Sequence, residues 1–172
     1  AKTDAIDARI LALFGERVRP RMTELPSKEQ ARLKALSTRR RQLVDQRAAQ
    51  KNQRTKIIDK DILAGAVRVI ACLDDEIEYI EELIAAHIAA HEPLRDRQDL
   101  LESIPCVAAA TSAVVIAELP ELGSSSTSAL KAITGVAPFN HDSGAMRGER
   151  HIKGGRAALR QALYMAAQTG YR

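Results

Sequence analysis

Residues 60–91 read KDILAGAVRVIACLDDEIEYIEELIAAHIAAH, and this stretch decides the fold. Two interleaved series of mostly apolar residues recur in it every seven positions: Leu63, Ile70, Ile77, Ile84 and His91, and Ala66, Leu73, Ile80 and His87. This spacing is the a/d pattern of helices that pack along a shared seam, sustained over about four heptads. It predicts a long helix with one side buried against a partner helix.

The preceding segment supplies a candidate partner. Pro26 and the capping-box pattern Ser27-Lys28-Glu29-Gln30 mark the start of a helix. Its apolar seam is weaker, because Gln50 interrupts the series Leu36, Leu43 and Ile57. We therefore predict two long helices, at 27–60 and 62–101, that form an antiparallel hairpin (coiled coil). No proline or strong turn pair marks the connection at 59–65, so a continuous rod is the alternative.

Charge is segregated between the two predicted helices. Residues 28–56 hold ten basic and two acidic side chains, whereas residues 59–102 hold twelve acidic and four basic ones. Opposite charges favour pairing of the two helices, but exposed ion pairs stabilise little individually. The apolar positions must therefore decide the packing.

Two interpretations of the basic segment are open. It is either a solvated helix face or a nucleic-acid-binding helix, whose cations would neutralise phosphates and release counterions. Arginine outnumbers lysine there, which suits bidentate phosphate contacts, but no aromatic residue lies between positions 28 and 56 to stack on bases. For the second interpretation the candidate nucleic-acid-binding residues are Arg39, Arg40, Arg41, Arg47 and Arg54.

Composition sets the fold class. The chain has 172 residues, of which 45% are hydrophobic and only 3% aromatic, with no tryptophan, so its core must be aliphatic and its fold mainly α. It carries no apolar run of about 18 residues and no charged-then-apolar leader, and its two cysteines, Cys72 and Cys106, are far apart. We expect a cytoplasmic protein that has no membrane partner. Because the chain opens on Ala1 inside a helical pattern, we also expect it to be a fragment.

Shorter elements follow position 101. The pattern predicts an apolar helix at 107–119, a Ser-rich loop at 123–128, a helix at 129–134 that Gly135 ends, and a final helix at 156–168. Ser126 or Ser128 is better suited to cap a helix than to act as a nucleophile. Gly154 and Gly155, at the start of the final helix, would leave backbone N–H groups open to a phosphate. These elements predict a small, mostly helical module after the hairpin.

Asp142-Ser143-Gly144 lies within this module, just before a cluster of cations. Five basic residues follow it: Arg147, Arg150, Lys153, Arg156 and Arg160. A serine that attacks a phosphate diester must reach an in-line position, which a small neighbouring residue permits, and the developing negative charge requires fixed cationic donors. The simpler interpretation is an ordinary turn beside surface cations. The other interpretation makes Ser143 a nucleophile and the five cations DNA-phosphate contacts, and the residues alone leave both interpretations open.

His87 and His91 are spaced by four residues on the predicted second helix. Such a pair could hold zinc, or it could supply polar positions within the helical interface. Because both residues continue the apolar seam, we favour the interface.

The second half of the chain resembles the C-terminal domain of insertion-sequence transposases of the 110/116/902 group. The resemblance rests on motifs in the same order: Ser103-Ile104-Pro105, Ala117-Glu118-Leu119-Pro120-Glu121-Leu122-Gly123, Gly135-Val136-Ala137-Pro138-Phe139-Asn140, Asp142-Ser143-Gly144, Arg147-Gly148, Gly154-Gly155-Arg156 and Leu163-Tyr164-Met165-Ala166. The opening residues 2–8 resemble the end of the same family's RNase H-like (RuvC-like) domain. The resemblance implies three regions: the end of that domain with a linker at 1–26, a coiled-coil dimerisation segment at 27–101, and a serine transposase domain at 102–172.

The resemblance also implies a mechanism. Ser143 would become covalently joined to DNA, while an Asp-Glu-Asp-Asp site binds Mg²⁺, and Asp4 and Asp7 match the last two of these acids. Because the first Asp and the Glu are missing, we expect this fragment alone to be inactive. A structured noncoding RNA would guide the choice of element-end and target DNA, and the protein would act as a homodimer or higher oligomer. The competing hypothesis is a noncatalytic nucleic-acid-binding coiled-coil adaptor.

One departure from the family pattern concerns the turn before the first helix of this module. The family usually reads Ile-Pro-Gly-x-Gly-Pro, whereas this chain has Ile104-Pro105-Cys106-Val107-Ala108-Ala109. Cβ atoms therefore occupy a turn whose glycines let backbone amides approach a phosphate.

Overall fold

A computed structural model describes residues 4–19, 26–140 and 147–171. It confirms the mainly helical fold. The described residues form these elements in chain order: α1 (Asp4–Val18), α2 (Lys28–Arg54), α3 (Lys60–Ala89), α4 (Glu92–Glu102), α5 (Ala109–Glu118), α6 (Thr127–Thr134), β1 (Pro138–Phe139), β2 (His151–Ile152) and α7 (Ala157–Gly170). None of the helices in these ranges has the length and apolar character needed to cross a membrane.

α2 and α3 pack against each other in antiparallel orientation. Arg40 pairs with Glu81, and Arg47 pairs with Asp74. From the first pair to the second, the residue number rises by seven in α2 and falls by seven in α3, as antiparallel helices require. The heptad residues face this interface: Ile70, Ile77, Ile80 and Ile84 of α3 are buried, as are Leu33 and Leu43 of α2. Each such side chain contributes about 1.5–3 kcal/mol relative to an exposed position.

The chain reverses between α2 and α3 at residues 55–59, so it is not a continuous rod. Thr55 caps the end of α2, and Asp59 caps the start of α3. The Asp59 Oδ1 atom accepts hydrogen bonds from the backbone N–H groups of Asp61, at 2.9 Å, and Ile62, at 3.0 Å. These bonds satisfy two of the donors that the first turn of a helix leaves free.

The helix predicted to continue from 62 to 101 is divided at His91. α3 ends at Ala89, and His91 has extended backbone angles and becomes the N-cap of α4. Pro93, in the first turn of α4, explains the break. Its ring removes a backbone donor and would clash with the carbonyl four residues earlier if the helix continued, whereas a helix start accommodates it.

α5 is the central element of the second half. Its residues Ala113, Ile116 and Ala117 join the core formed with α2, α3 and α4. Val115, together with Leu119, packs instead against Leu159 of α7, in a second cluster that also includes residues from α6. By contrast, none of the residues of α1 is buried, and its apolar side chains are exposed. One short helix thus connects the α2–α3 pair to the C-terminal module.

Cys106 adopts a backbone conformation that favours glycine. Its φ is +68°, and the Val107 N–H donates to the Ile104 carbonyl at 3.1 Å across a turn with Pro105 and Cys106 at the centre. A positive φ at the third turn position, after proline, is typical of a type II turn. The turn therefore keeps the backbone shape that glycine would supply, although a Cβ is present.

We expect Cys106→Gly to raise the free energy of unfolding. Relief of about 1–2 kcal/mol of left-handed strain should exceed the roughly 0.4–1 kcal/mol that glycine costs through the unfolded chain, which leaves a gain of up to about 1.6 kcal/mol. Urea denaturation measures the difference. Cys106→Ala is the matched control, because it keeps the Cβ and should give no gain. An equal gain in the alanine variant would mean that strain is not the cause.

Candidate functional site

Two short strands close the segment that contains Ser143. β1 and β2 pair antiparallel, with Pro138 opposite Ile152 and Phe139 opposite His151, so the two ends of residues 140–150 lie side by side. We call these eleven residues the Ser143 loop. Ser143 lies outside the described residues, as do its neighbours His141 and Asp142. On the described side of the loop, Arg147 and Arg150 are exposed, and Lys153 is exposed just beyond β2.

Two glycines form the base of this hairpin. Gly135, which ends α6, has a φ of +76°, and Gly155 has a φ of +69°. Their backbones touch: a Cβ on Gly155 would lie 2.7 Å from the carbonyl carbon of Thr134 and closer still to Gly135. The Arg156 N–H donates to the Ile133 carbonyl at 2.9 Å beside this contact. Only glycine permits so close an approach in this conformation.

Arg156 anchors the base of the hairpin on the end of α5. Its guanidinium donates to both carboxylate oxygens of Glu121, at 2.6 and 2.7 Å, and also to the Glu118 carbonyl. This bidentate geometry is the strong form of an Arg–carboxylate pair, and a cation is favourable at a helix C-terminus. Arg160 adds a bond from its Nη1 to the Gly154 carbonyl. Arg156 and Arg160, two of the five cations that we predicted as DNA-phosphate contacts, thus have hydrogen-bond partners within the chain.

The same ion pair perturbs the titration of its members. The hydrogen bond from Arg156 lowers the pKa of Glu121, and the same bond raises the pKa of Arg156. A carboxylate with a lowered pKa in the folded state stabilises the fold above its ordinary pKa, and this stabilisation is lost as the pH falls through the lowered value. The anchor is therefore complete at neutral pH.

α2 also reaches the end of α5. Buried Gln30 donates through its Nε2 to the carbonyls of Ile116, at 2.5 Å, and Ala117, at 3.4 Å, and Lys34 lies 3.7 Å from the Glu118 carboxylate. Helix ends leave carbonyls without intrahelical partners, and here side chains from α2 and from the start of α7 satisfy them. The C-terminus of α5 therefore holds the α2–α3 pair and the base of the hairpin together.

The cations of α2 divide into two groups. Arg40 donates to Glu81 at 2.7 Å through Nε, and Arg47 donates to Asp74 at 2.7 Å, so both face α3. The bond from Arg47 lowers the pKa of Asp74. Arg39, Arg41 and Arg54 are instead exposed. Of the five arginines predicted to bind nucleic acid, two thus pair with carboxylates of α3.

Asp4 and Asp7 lie three residues apart in the first turn of α1, a spacing at which two side chains can share one helical face. Across residues 4–19, 26–140 and 147–171, no group of three or more His, Cys, Asp or Glu side chains could hold a metal ion. Two carboxylates alone do not complete a Mg²⁺ site.

His87 lies at the helix interface, and His91 lies at the junction of α3 and α4. His87 is buried and donates through Nε2 to the Glu29 carbonyl at 2.9 Å, which ties α3 to the start of α2. His91 donates through Nδ1 to the His87 carbonyl at 2.6 Å. His87 therefore bonds across the helix interface, as predicted, whereas the bond of His91 is local and His91 is the N-cap residue of α4.

Sequence reasoning missed Glu121 and Gln30 as contacts of this site. Glu121 belongs to a motif that carried the family resemblance, and Gln30 belongs to the capping box of α2, but neither was assigned a long-range partner. The signal available was the unpaired carbonyls at the end of the predicted helix 107–119, which require donors from elsewhere. Sequence spacing does not show which donors reach them.

Comparison with known families gives two matches. Residues 1–60 match the DEDD transposase of IS110, whose model is described as "Transposase". Residues 98–172 match the "Transposase IS116/IS110/IS902 family". Among curated proteins, none matches the chain. The two matches follow each other along the chain, and they contain Asp4, Asp7, the five arginines of α2, Ser143 and the cations after it, so these two regions are similar to transposases of the IS116/IS110/IS902 group.

Proposed function

We propose that this protein is a DNA transposase, and that it cleaves and rejoins DNA through a covalent intermediate on Ser143. The serine hydroxyl would attack a phosphodiester, lose its proton and form an O–P bond, while the P–O bond to the neighbouring deoxyribose breaks and that oxygen takes up a proton. A second deoxyribose hydroxyl would then attack the phosphoserine and restore the serine. The serine would thus conserve the energy of the broken bond for strand exchange.

One observation supports this proposal above the others: the Ser143 loop is closed by paired strands and bordered by exposed cations. Arg147, Arg150 and Lys153 are all exposed on the described side of the loop or directly after β2. Cations in these positions would bind the phosphates that flank the scissile bond and would balance the charge that develops on the non-bridging oxygens. Arg156 and Arg160 would contribute to the same positive field while they hold the hairpin base.

Asp4 and Asp7 would supply two carboxylates to a Mg²⁺ ion, whose other two ligands the family resemblance assigns to an Asp and a Glu. Such an ion would neutralise charge on the reacting phosphate. On this proposal, activity requires a protein that carries all four acids. The activity would be exercised on DNA of the nucleoid, in the cytoplasm.

The exposed cations of α2 would bind the backbone of a guide RNA or of DNA. Arg39, Arg41 and Arg54 are free of the α3 interface, and a positive face of this kind attracts phosphates regardless of sequence. The opposite charges on the outer surfaces of α2 and α3 would favour a homodimer formed through the α2–α3 pair.

We expect Arg39→Ala/Arg41→Ala to weaken nucleic-acid binding and to lower the slope of log affinity against log salt by roughly 2, or about 1 for each lost phosphate contact. The double variant Arg40→Ala/Arg47→Ala removes the same charge from the α3 interface and should leave the slope unchanged. Filter binding of an RNA duplex and a DNA duplex at several salt concentrations measures both. Equal slopes for the two variants would contradict this assignment.

Covalent capture tests the proposed chemistry. A version of the protein with all four acids, incubated with element-end DNA and Mg²⁺, should form an adduct that resists denaturation. Protease digestion and mass spectrometry should place the nucleotide on the peptide that contains Ser143. Salt-sensitive binding without an adduct would favour the noncatalytic adaptor, and an adduct on another residue would show that Ser143 is not the nucleophile.

A further inference from the structure

We propose that Glu121 is a positioning residue for the Ser143 loop. Its bidentate ion pair with Arg156, which we call the fork, sets the orientation of the β1–β2 hairpin on α5. The part of this inference that concerns DNA rests on the proposed role of Ser143. The part that concerns the hairpin does not, and it is tested separately below.

The hairpin depends on its base for its orientation. All four strand residues are exposed, which leaves Pro138, Phe139, His151 and Ile152 without burial in either core cluster. A hairpin of two-residue strands has little stability of its own. Its orientation relative to the helices must therefore come from residues 133–135 and 154–156, where it leaves α6 and enters α7.

Two kinds of contact act at that base. The contact between Gly135 and Gly155 and the bond from the Arg156 N–H to the Ile133 carbonyl fix the point at which residues 133–135 meet residues 154–156. A single hydrogen bond still permits the hairpin to rotate about the axis of that bond. The two parallel bonds from Arg156 to Glu121, with a third to the Glu118 carbonyl, remove that rotation because they lie on different acceptors.

Glu121 is suited to act as the fixed end of this fork. It follows α5 directly, in a turn where its carbonyl accepts bonds from the N–H groups of Ser124 and Ser125, both at 3.1 Å. α5 itself is the most enclosed helix near the site, with Ile116 and Ala117 at 2% and 1% exposure. Side chains of Glu121 and Arg156 are about one-third exposed, so water competes only in part with the fork.

The first test measures the hairpin in this chain directly. Spin labels on cysteines at Asn140 and Gln42, both exposed, report the distance between the hairpin and α2 in a Cys72→Ser/Cys106→Gly background. We expect a narrow distance distribution that broadens in Glu121→Gln and in Arg156→Lys, since neither can form the charged fork. Glu78→Gln, an exposed carboxylate of α3, is the control. An unchanged width in both fork variants, with the fold intact by circular dichroism, would overturn the proposal.

The second test uses the protein with all four acids. At saturating DNA, Glu121→Gln should slow single-turnover adduct formation by about tenfold or more, since misplacement by an ångström carries costs of this size, while the DNA dissociation constant stays the same. A merely structural role would lower the melting temperature and the fraction of active protein, but not the rate. A broadened distance with an unchanged rate would overturn the positioning role. If the parent forms no adduct, the proposed function fails, and the distance measurement still decides the role of Glu121 in the hairpin.

Discussion

Replacing Ser143 with alanine is expected to abolish covalent attachment of the protein to DNA. The alanine side chain has no oxygen to form the bond to phosphorus, and loss of a nucleophile from a preorganised site costs on the order of 10⁴–10⁶ in rate. Adduct yield on a denaturing gel, with the protein that carries all four acids, measures the effect. DNA affinity should change little, because binding depends mainly on contacts of the phosphates with the cations.

Ser126→Ala is the matched control for that substitution. Ser126 is the N-cap of α6, where its Oγ accepts a hydrogen bond from the Ala129 N–H at 3.3 Å. Its loss should reduce the free energy of unfolding by about 1 kcal/mol and leave adduct formation intact. An adduct that persists in Ser143→Ala would assign the nucleophile elsewhere.

Replacing Gly155 with alanine is expected to lower the free energy of unfolding by about 3 kcal/mol or more. The new Cβ would overlap backbone atoms of Thr134 and Gly135, which cannot rotate away as a flexible side chain can. The positive φ of Gly155 adds left-handed strain. Urea denaturation followed by circular dichroism measures the loss. Gly135→Ala should behave alike, because its Cβ would meet Gly154 and the Arg160 guanidinium.

Gly154→Ala separates these two causes. Gly154 has a similar φ of +74°, but a Cβ there would meet nothing within 4 Å, so only the strain of about 1 kcal/mol applies. Gly65→Ala, within α3, should be neutral or stabilising by up to about 1 kcal/mol, because the nearest atom is 3.9 Å away and alanine favours helix. Equal losses for Gly154 and Gly155 would show that the close backbone approach does not limit stability.

Local rules were sufficient for much of the fold. The heptad series predicted which side of α3 is buried, since Ile70, Ile77 and Ile84 all lie at the interface. The N-cap role of Ser27 and the helix stop at Gly135 were also predicted, and the structure confirms them; of the two predicted cap candidates, Ser126 and Ser128, it is Ser126 that caps α6, two residues earlier than the predicted helix start at 129 implies. Each of these features depends on residues within one or two turns of each other. Pro93 is an equally local signal for the break at His91. The prediction of one helix at 62–101 instead followed the heptad pattern, which continues to His91.

The candidate site was predictable only in part. The sequence indicated a serine with small neighbours and a series of cations after it, because residue types and their order carry that information. It also identified the basic segment of α2. It did not separate Arg40 and Arg47, which face α3, from Arg39 and Arg41, which are exposed. That division depends on which side of α2 the partner helix covers.

The sequence by itself determined a mainly helical chain, its buried seam and a family resemblance that two family matches support. Only the tertiary structure brought Glu121 to Arg156, Gln30 to the end of α5, and Gly135 to Gly155. Helix and cap signals arise from neighbours along the chain, so the sequence alone is enough to predict them. Contacts between distant residues depend on how whole helices pack, and packing results from many weak apolar contacts acting together.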